Sequence, residues 1–251
     1  MDVLKAGERI ERINDGLRVI RAPGHLPFGS DALLLAGFLP GGRTLAAELG
    51  AGTGAVSLLA AARGKCSRID GFELQESAAD IFARNIALNG LSDRVRAVCA
   101  DLRTLPSTLA GRYDCVFSNP PYMKTGAGKR SPAAARETAR HETAGDIFDF
   151  AACAARLLKT GGEAVFVYRP DRAVDLFLAL RGAGIEPKRA LTVCADPAHA
   201  PSVLLVSAKK GARPGLYCPP VFFLKTAGAE NTADYEFLLE KGVFPDVFLR
   251  P

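Results

Sequence analysis

Four consecutive residues, Asn119-Pro120-Pro121-Tyr122, have the types and the order that recognition of an amino group requires. The side-chain oxygen of Asn119 and the carbonyl oxygen of Pro120 can each accept one hydrogen of an –NH₂ group, which leaves the nitrogen lone pair directed outward. Two successive prolines lock φ and hold these acceptors in fixed directions. Tyr122 adds a flat face on which a planar substrate can stack. We predict these four as catalytic residues; the alternative is a rigid loop that merely ends a strand.

A second cluster lies upstream and reads Glu48-Leu49-Gly50-Ala51-Gly52-Thr53-Gly54. Glycines at such a turn let the backbone pass close to a ligand, and the helix that follows offers free N–H groups. The pattern predicts a cofactor site formed by Glu48, Gly50, Ala51, Gly52, Thr53 and Gly54. Because it also satisfies the dinucleotide form GxGxxA through Ala55, a nicotinamide or flavin cofactor stays open at this point.

Two carboxylates follow at the ends of the next predicted strands. Glu73 lies 23 residues beyond the first glycine of that cluster, where an acidic side chain can bind both ribose hydroxyls of an adenosine. Asp101 can accept a hydrogen bond from the amino group of adenine, or can instead cap the next turn. We expect the residues after these carboxylates, Leu74 and Leu102, and also Asn119, to contact the same cofactor.

The segment 123–145, which follows Tyr122, is strongly basic. It holds five Lys or Arg residues against Glu137 and Glu142, a net charge of +3 in a chain whose net charge is +5. We predict a clamp on the phosphates of an anionic partner such as RNA; the alternative is a solvated loop. The predicted substrate-binding residues are Tyr122, Lys124, Lys129, Arg130, Arg136 and Arg140.

Alternating strand and helix patterns must position these clusters. Residues 9–13 and 17–20 predict a hairpin around Asn14-Asp15-Gly16, and Ser30 is the expected N-cap of a helix that ends at Phe38. Strands are predicted at 45–49, 69–74, 95–100, 113–118, 163–168, 189–193 and 203–208, and helices at 55–63, 76–89, 148–158 and 172–183. This alternation indicates an α/β fold with a mostly parallel sheet, helices on both faces and one of the last two strands antiparallel.

The composition excludes several classes of protein. A chain of 251 residues with 48% hydrophobic and 24% charged residues can bury one sizeable core. Its longest apolar run, 32–39, is far shorter than the roughly 20 residues of a membrane span, and its charged N-terminus does not resemble a signal peptide. Six cysteines at least 16 residues apart form no CxxC pair. We therefore expect no metal, no membrane and a cytoplasmic protein, with Cys66, Cys99, Cys115 and Cys153 in the core.

In their order and spacing, residues 48–54, Glu73, Asp101 and 119–122 resemble the class I S-adenosylmethionine-dependent methyltransferases that act on amino or amide nitrogens. Further segments narrow this resemblance to the bacterial valine-tRNA adenine N6-methyltransferase family. They are Phe28-Gly29-Ser30-Asp31-Ala32-Leu33-Leu34-Leu35, Ala139-Arg140-His141-Glu142, and Lys209-Lys210-Gly211 after the last predicted strand.

The resemblance implies a Rossmann-like class I methyltransferase fold with a seven-stranded sheet whose last strand is antiparallel. We expect an N-terminal hairpin and short helix over 1–43, a catalytic domain over 44–211, and an appendage over 212–251 packed on the same domain. That appendage is expected to hold a hairpin and a terminal helix near 235–241.

The resemblance also implies the chemistry. The cofactor would be S-adenosylmethionine, bound across the glycine turn with Asp31 lying over it, and the target amine would sit at Asn119. The expected reaction is direct in-line methyl transfer to adenine N6 in RNA, most simply tRNA. Because the methylated amine loses its proton readily, no histidine is needed as a base, and His25, His141 and His199 receive no such role.

Three alternatives stay open at this point. Protein glutamine-N5 methyltransferases of release factors share the Asn-Pro-Pro-Tyr motif, but they usually carry a helical domain before the glycine motif. Here the 47 residues before Glu48 predict a hairpin instead. A nicotinamide oxidoreductase is disfavoured because that motif has no role in hydride transfer. A non-catalytic module that binds RNA or the cofactor remains possible.

Overall fold

The computed structural model describes residues 4–13, 16–25, 29–121 and 145–250. The predicted N-terminal hairpin is confirmed: β1 (Arg9–Arg12) pairs antiparallel with β2 (Arg18–Arg21). Gly16 has φ = 70°, a left-handed conformation that glycine adopts without strain. The two residues before it, Asn14 and Asp15, lie outside the described residues.

The remaining strands form one sheet, in which the described residues contribute eight strands. In chain order they are β3 (Arg43–Leu49), β4 (Cys66–Glu73), β5 (Val95–Cys99), β6 (Tyr113–Ser118), β7 (Leu158–Tyr168), β8 (Ile185–Cys194), β9 (Val203–Lys210) and β10 (Phe222–Phe223). Across the sheet the order is β10-β8-β9-β7-β6-β3-β4-β5. Every pairing is parallel except those of β9 with β7 and β8. The predicted antiparallel strand is therefore confirmed as β9.

Helices cover both faces of this sheet. They are α1 (Ser30–Phe38), α2 (Ala55–Ala62), α3 (Glu76–Leu88), α4 (Ile147–Leu157), α5 (Ala173–Gly182) and α6 (Ala233–Lys241). One buried core joins the sheet to α1, α2, α3 and α6, and a second joins its other face to α4 and α5. Successive strand residues alternate between the cores, as Ala46 and Ala47 of β3 do, because strand side chains point to opposite faces. None of the described helices is both long and apolar enough to cross a membrane.

The C-terminal tail, residues 212–250, completes the core on the face of the sheet that α1 covers. Phe222, Phe244 and Phe248 stack edge to face with centroid separations of 4.7 to 6.4 Å, and Phe244 reaches Phe38 of α1 at 5.8 Å. All four rings are buried. Aromatic burial of this kind dominates core energetics, so the tail is a stabilising part of the fold.

Three sequence predictions about elements are wrong. Ser30 does not cap α1, because the N-cap residue is Gly29 and Ser30 is already helical. The strand predicted at 163–168 is too short: β7 begins at Leu158 and includes Gly161 and Gly162, next to a register irregularity opposite β6. The sheet has an eighth strand, β10, because the buried Phe222 draws the tail against the edge of β8.

Two smaller predictions also need correction. Lys209 and Lys210 end β9 and do not follow it. Cys99 is exposed, because β5 is the edge strand of the sheet, whereas Cys66, Cys115 and Cys153 are buried as predicted. In the tail the predicted terminal helix is confirmed as α6, and the predicted hairpin is reduced to one antiparallel bridge between Lys225 and Asn231.

Candidate active site

The carboxyl ends of β3, β4, β5 and β6 meet at one edge of the sheet. Leu49 of β3 pairs with Ser118 of β6 and with Phe72 of β4. Gly50 and Asn119, one residue further along each strand, therefore lie side by side at this edge. In open α/β sheets ligands bind in the crevice outside the carboxyl ends of the strands. The two predicted motifs thus reach the same crevice.

Ser118 ties these two strand ends together. Its Oγ donates a 2.7 Å hydrogen bond to the carbonyl oxygen of Leu49, and the serine is fully buried. The bond fixes the start of the Asn119-Pro120-Pro121 segment against the start of the glycine turn. Sequence reasoning missed Ser118, since a serine at the end of an apolar strand carries no signal of its cross-strand partner.

The glycine turn has a conformation that requires glycine. Gly50, Gly52 and Gly54 have φ values of 67°, 56° and 88°, in the left-handed region. The N–H groups of Gly50 and Ala51 both donate to the carbonyl oxygen of Phe72, at 2.9 and 3.0 Å, which binds the turn to β4. A Cβ at Gly52 would meet no atom within 4 Å. The backbone there faces open space that a ligand can approach.

The rings of Phe82 and Phe150 pack against the glycine turn on the side of α3 and α4. A Cβ at Gly54 would overlap the ring of Phe82 in α3, and so would one at Gly71 in β4. A Cβ at Gly50 would lie 3.2 Å from the ring of Phe150 in α4. These glycines therefore permit close packing of the turn on α3 and α4, while Gly52 leaves the opposite side open.

Glu73 lies beside the turn, at the end of β4. Its carboxylate accepts hydrogen bonds from the backbone N–H of Gly52 at 2.7 Å and from that of Gln75 at 2.8 Å. The residue is 7% exposed. Since an ionised carboxylate offers about four acceptor positions, both oxygens keep capacity for a ligand hydroxyl. The structure thus brings Glu73 to the glycine turn, and its contact with a ribose stays a prediction.

Glu48 has a different environment from the one expected of a ligand-binding carboxylate. It is 2% exposed, and its Oε2 accepts hydrogen bonds from the backbone N–H of Ser57 at 3.1 Å and from the Ser57 hydroxyl. Burial raises the pKa of Glu48 to about 8, against the opposing effect of the Ser57 bonds. These bonds hold α2 in place behind the glycine turn, so Glu48 positions the turn through α2. A direct contact of Glu48 with a cofactor stays a prediction.

Asp101 adopts the capping role that was the alternative prediction. Its carboxylate accepts from the backbone N–H of Arg103 at 2.9 Å and pairs with the Arg103 guanidinium at 2.6 Å. The hydrogen-bonded guanidinium lowers the pKa of Asp101. Leu102, which follows, is buried in the core under α4. An adenine at Asp101 would have to share this carboxylate with Arg103.

Asn85 of α3 is a second residue that sequence reasoning missed. Its Nδ2 donates to the carbonyl oxygen of Thr53 at 3.0 Å, and its Oδ1 accepts from the backbone N–H of Ile20 at 2.7 Å. The side chain is fully buried. Asn85 therefore joins the glycine turn to the N-terminal hairpin. A polar residue on the buried face of an amphipathic helix was the available signal.

The remaining predicted residues are only partly placed. Pro120 is buried, and Asn119 and Pro121 are half-buried at the end of β6. Asp31 lies in the first turn of α1, and Leu74 follows β4 at the carboxyl edge. The rest lie outside the described residues: Tyr122, Lys124, Lys129, Arg130, Arg136 and Arg140. Within the described ranges, no group of three His, Cys, Asp or Glu side chains could hold a metal ion.

Comparisons with known proteins agree with this architecture. Residues 46–145 match the family model described as a methyltransferase domain. A crystal structure of a predicted O-methyltransferase from Agrobacterium tumefaciens superposes with a TM-score of 0.70 at 22% identity, covering 86% of this chain and 98% of that protein. At this identity the likeness concerns the fold: both chains have the class I methyltransferase architecture.

Two curated relatives are similar in sequence, and both are named tRNA1(Val) (adenine(37)-N6)-methyltransferase. The protein of Cronobacter sakazakii is 32% identical over 156 residues, which span 61% of this chain and 62% of that protein. The protein of Tolumonas auensis is 32% identical over 180 residues, which span 71% of this chain and 74% of that protein. On this similarity, the chain belongs to the tRNA1(Val) (adenine(37)-N6)-methyltransferase family.

Proposed function

We propose that this protein transfers a methyl group from S-adenosylmethionine to N6 of an adenine in tRNA, in the cytoplasm. The observation that carries the proposal is the adjacency of the glycine turn and Asn119 at the carboxyl edge of β3 and β6. A methyl donor and an amine held at neighbouring strand ends are close enough to react without a covalent enzyme intermediate. The activity for which both relatives are named supports adenine N6 as the acceptor and tRNA as its carrier.

The residues at the edge fit the proposed cofactor. Gly52 offers backbone next to open space, and the Glu73 carboxylate beside it retains acceptor capacity for ribose hydroxyls. S-adenosylmethionine, when bound, supplies an already activated methyl group, so the protein's task is positioning and electrostatics. Asp101 and Leu102 would lie at the adenine end, and Ala51, Thr53 and Leu74 would line the same crevice through their backbone.

Asn119 and Pro120 would hold the target amine. Their oxygens accept its two hydrogens, which favours a pyramidal nitrogen and aims the lone pair at the methyl group. Pro121 adds rigidity, and Tyr122 stacks on the adenine ring. The product amine loses its proton readily, so the account requires no strong base.

The basic segment 123–145 would bind the tRNA backbone. Its net charge of +3 makes it a candidate phosphate clamp that closes over an unpaired adenine. Affinity for tRNA should then fall steeply with salt, because cations that neutralise phosphates release counterions. Neutralising Lys129, Arg130 and Arg136 together should flatten this slope, and an unchanged slope would show that the segment does not hold RNA.

Tritiated methyl transfer tests the proposed function. The intact protein is incubated with S-adenosylmethionine labelled in the methyl group and, separately, with bulk tRNA, bulk rRNA and release factor, and the tRNA is digested for nucleoside analysis. The proposal predicts label in tRNA as N6-methyladenosine. Label in release factor would instead identify a protein glutamine methyltransferase, and cofactor binding without transfer to any of the three would identify a binding module.

A further inference from the structure

A second cavity lies on the α1 face of the sheet, away from the carboxyl edge. Its volume is about 220 Å³, it is open to solvent, and it is lined by residues of β7, β8, β9 and the C-terminal tail. Strand residues lining it include Glu163, Arg189, Ser207 and Lys209, and the tail contributes Tyr217 and Leu249. The tail thus forms a wall of the cavity as well as part of the core.

The cavity carries an excess of positive charge. Three cations line it, Lys188, Arg189 and Lys209, and none of them has a carboxylate within 4.0 Å among the described residues. The one acidic lining residue in that part of the chain, Glu163, is already engaged by Arg43 at 2.8 Å and by the Ser207 hydroxyl at 2.6 Å. The lining therefore has a net charge of +2 before Arg43 is counted.

One lining residue, Arg189, also has a hydrogen-bond donor without an acceptor in the described part of the chain, and so does Arg43, which lies outside the lining and reaches it only through its ion pair with Glu163. The buried Nε atoms of Arg189 and Arg43 have no partner among the described residues, although buried donors in proteins are almost always paired. Arg189 is held by a bond to the carbonyl oxygen of Leu249 and lies 4.5 Å from the ring of Phe38. Burial lowers the pKa of Arg189, so a bound anion would stabilise its charged form.

We propose that this cavity binds a phosphate group. Its volume is below the roughly 300 Å³ of sites for drug-sized ligands, which suits a compact anion. Arginine and lysine are the side chains that bind phosphate oxygens most strongly, and Lys188 already donates to a backbone carbonyl oxygen with only one of its three hydrogens, at 3.1 Å. Lys209 is exposed, so the cavity is accessible from solvent on that side.

This phosphate site is distinct from the candidate active site. Glu163 pairs with Cys115, four residues before Asn119, which is about 13 Å along the strand direction. Arg189 on β8 lies three strands from β6, about 14 Å across the sheet. The phosphate could belong to the backbone of a tRNA that extends past the crevice or to a free phosphate ion, and experiment distinguishes the two sources.

Titration calorimetry with inorganic phosphate tests the site. We expect saturable binding to the wild-type protein and at least about tenfold weaker binding to the double variant Lys188→Gln/Lys209→Gln. Lys241→Gln, an exposed lysine paired with Glu240 at the end of α6, is the matched control and should bind like wild type. Urea unfolding of each variant confirms that it folds. Since no methyl donor is present, the result is independent of the proposed methyl transfer.

A second titration, in saturating tRNA, identifies the source. Loss of phosphate binding in the presence of tRNA would assign the cavity to the RNA backbone, and undiminished binding would assign it to a free phosphate ion. Equal phosphate affinity for wild type and for the folded double variant, or no binding to wild type, would overturn the proposal.

Discussion

Replacing Asn85 with alanine removes the two hydrogen bonds that join the glycine turn to the N-terminal hairpin. The backbone N–H of Ile20 is then left unpaired at a residue that is 3% exposed, at a cost of about 1–3 kcal/mol. The carbonyl oxygen of Thr53 loses a part-buried donor, which adds about 1 kcal/mol. We therefore expect Asn85→Ala to lower the free energy of unfolding by about 2–4 kcal/mol.

Asn89, one turn further along the chain, provides a matched control. It exchanges two hydrogen bonds with the backbone of Arg18 in the same hairpin, at 2.9 and 2.7 Å, but both bonds are exposed. Water can replace them, and the third bond of Asn89, from its Nδ2 to the carbonyl oxygen of Asn85 at 2.7 Å, is only part-buried, so Asn89→Ala should lower the free energy of unfolding by about 1 kcal/mol. The contrast between the two variants separates buried from exposed bonds to one hairpin.

Urea unfolding of both variants and the wild type measures this contrast, and calorimetry with S-adenosylmethionine provides a second readout. Because Thr53 lies in the glycine turn, Asn85→Ala should also weaken cofactor binding, whereas Asn89→Ala should leave it unchanged. A loss of stability in Asn85→Ala no larger than in Asn89→Ala would refute the reasoning that Asn85 positions the turn.

Three further predictions concern the same edge of the sheet. Glu73→Ala should weaken S-adenosylmethionine binding by about 10–100-fold in calorimetry, while the exposed Glu76→Ala should not; equal affinities would remove Glu73 from the cofactor site. Glu48 has a pKa of about 8 when folded and 4.5 when unfolded, so the folded protein holds an extra proton between these values. Glu48 therefore stabilises the fold fully below pH 4.5, and the free energy of unfolding falls by at most about 5 kcal/mol as the pH rises to about 8. Urea unfolding should show this decrease in wild type and a flatter pH profile in Glu48→Gln. Gly54→Ala should destabilise by about 1–3 kcal/mol more than Gly90→Ala, because both have positive φ but only Gly54 packs on Phe82; equal urea midpoints would contradict this packing.

The strand ends that form the site could be predicted from the sequence. Apolar runs ended by glycine, by Glu73 or by Asn119 mark the carboxyl ends of parallel strands, and such ends necessarily meet at one edge. The predicted strand 113–118 agrees with β6 residue for residue, because Asn119-Pro120 is a sharp local stop. The end of a strand could therefore be predicted wherever the next residues, such as Asn119-Pro120, cannot continue the strand.

The partners of the polar side chains at the site could be predicted only in part, because the cap formed by Asp101 has a local signal and the other contacts do not. Glu48 bonds to Ser57, and Asp101 pairs with Arg103, although both carboxylates occupy the strand-end positions expected of ligand-binding residues. The bridge from Asn85 to the hairpin spans 65 residues. The cations that line the phosphate cavity come from β8 and β9, so their proximity depends on the antiparallel insertion of β9.

The rate of methyl transfer by Asn119→Ala tests the central claim most directly. The assay is a single turnover on tRNA at saturating S-adenosylmethionine, with cofactor affinity measured separately by calorimetry. Asn231→Ala, an exposed asparagine in the tail, is the control and should react like wild type. Losing an acceptor aimed at the target amine should slow Asn119→Ala by about 10²–10³-fold with unchanged cofactor affinity. A wild-type rate in Asn119→Ala would contradict the account, because the strand-end asparagine would then be only a structural turn.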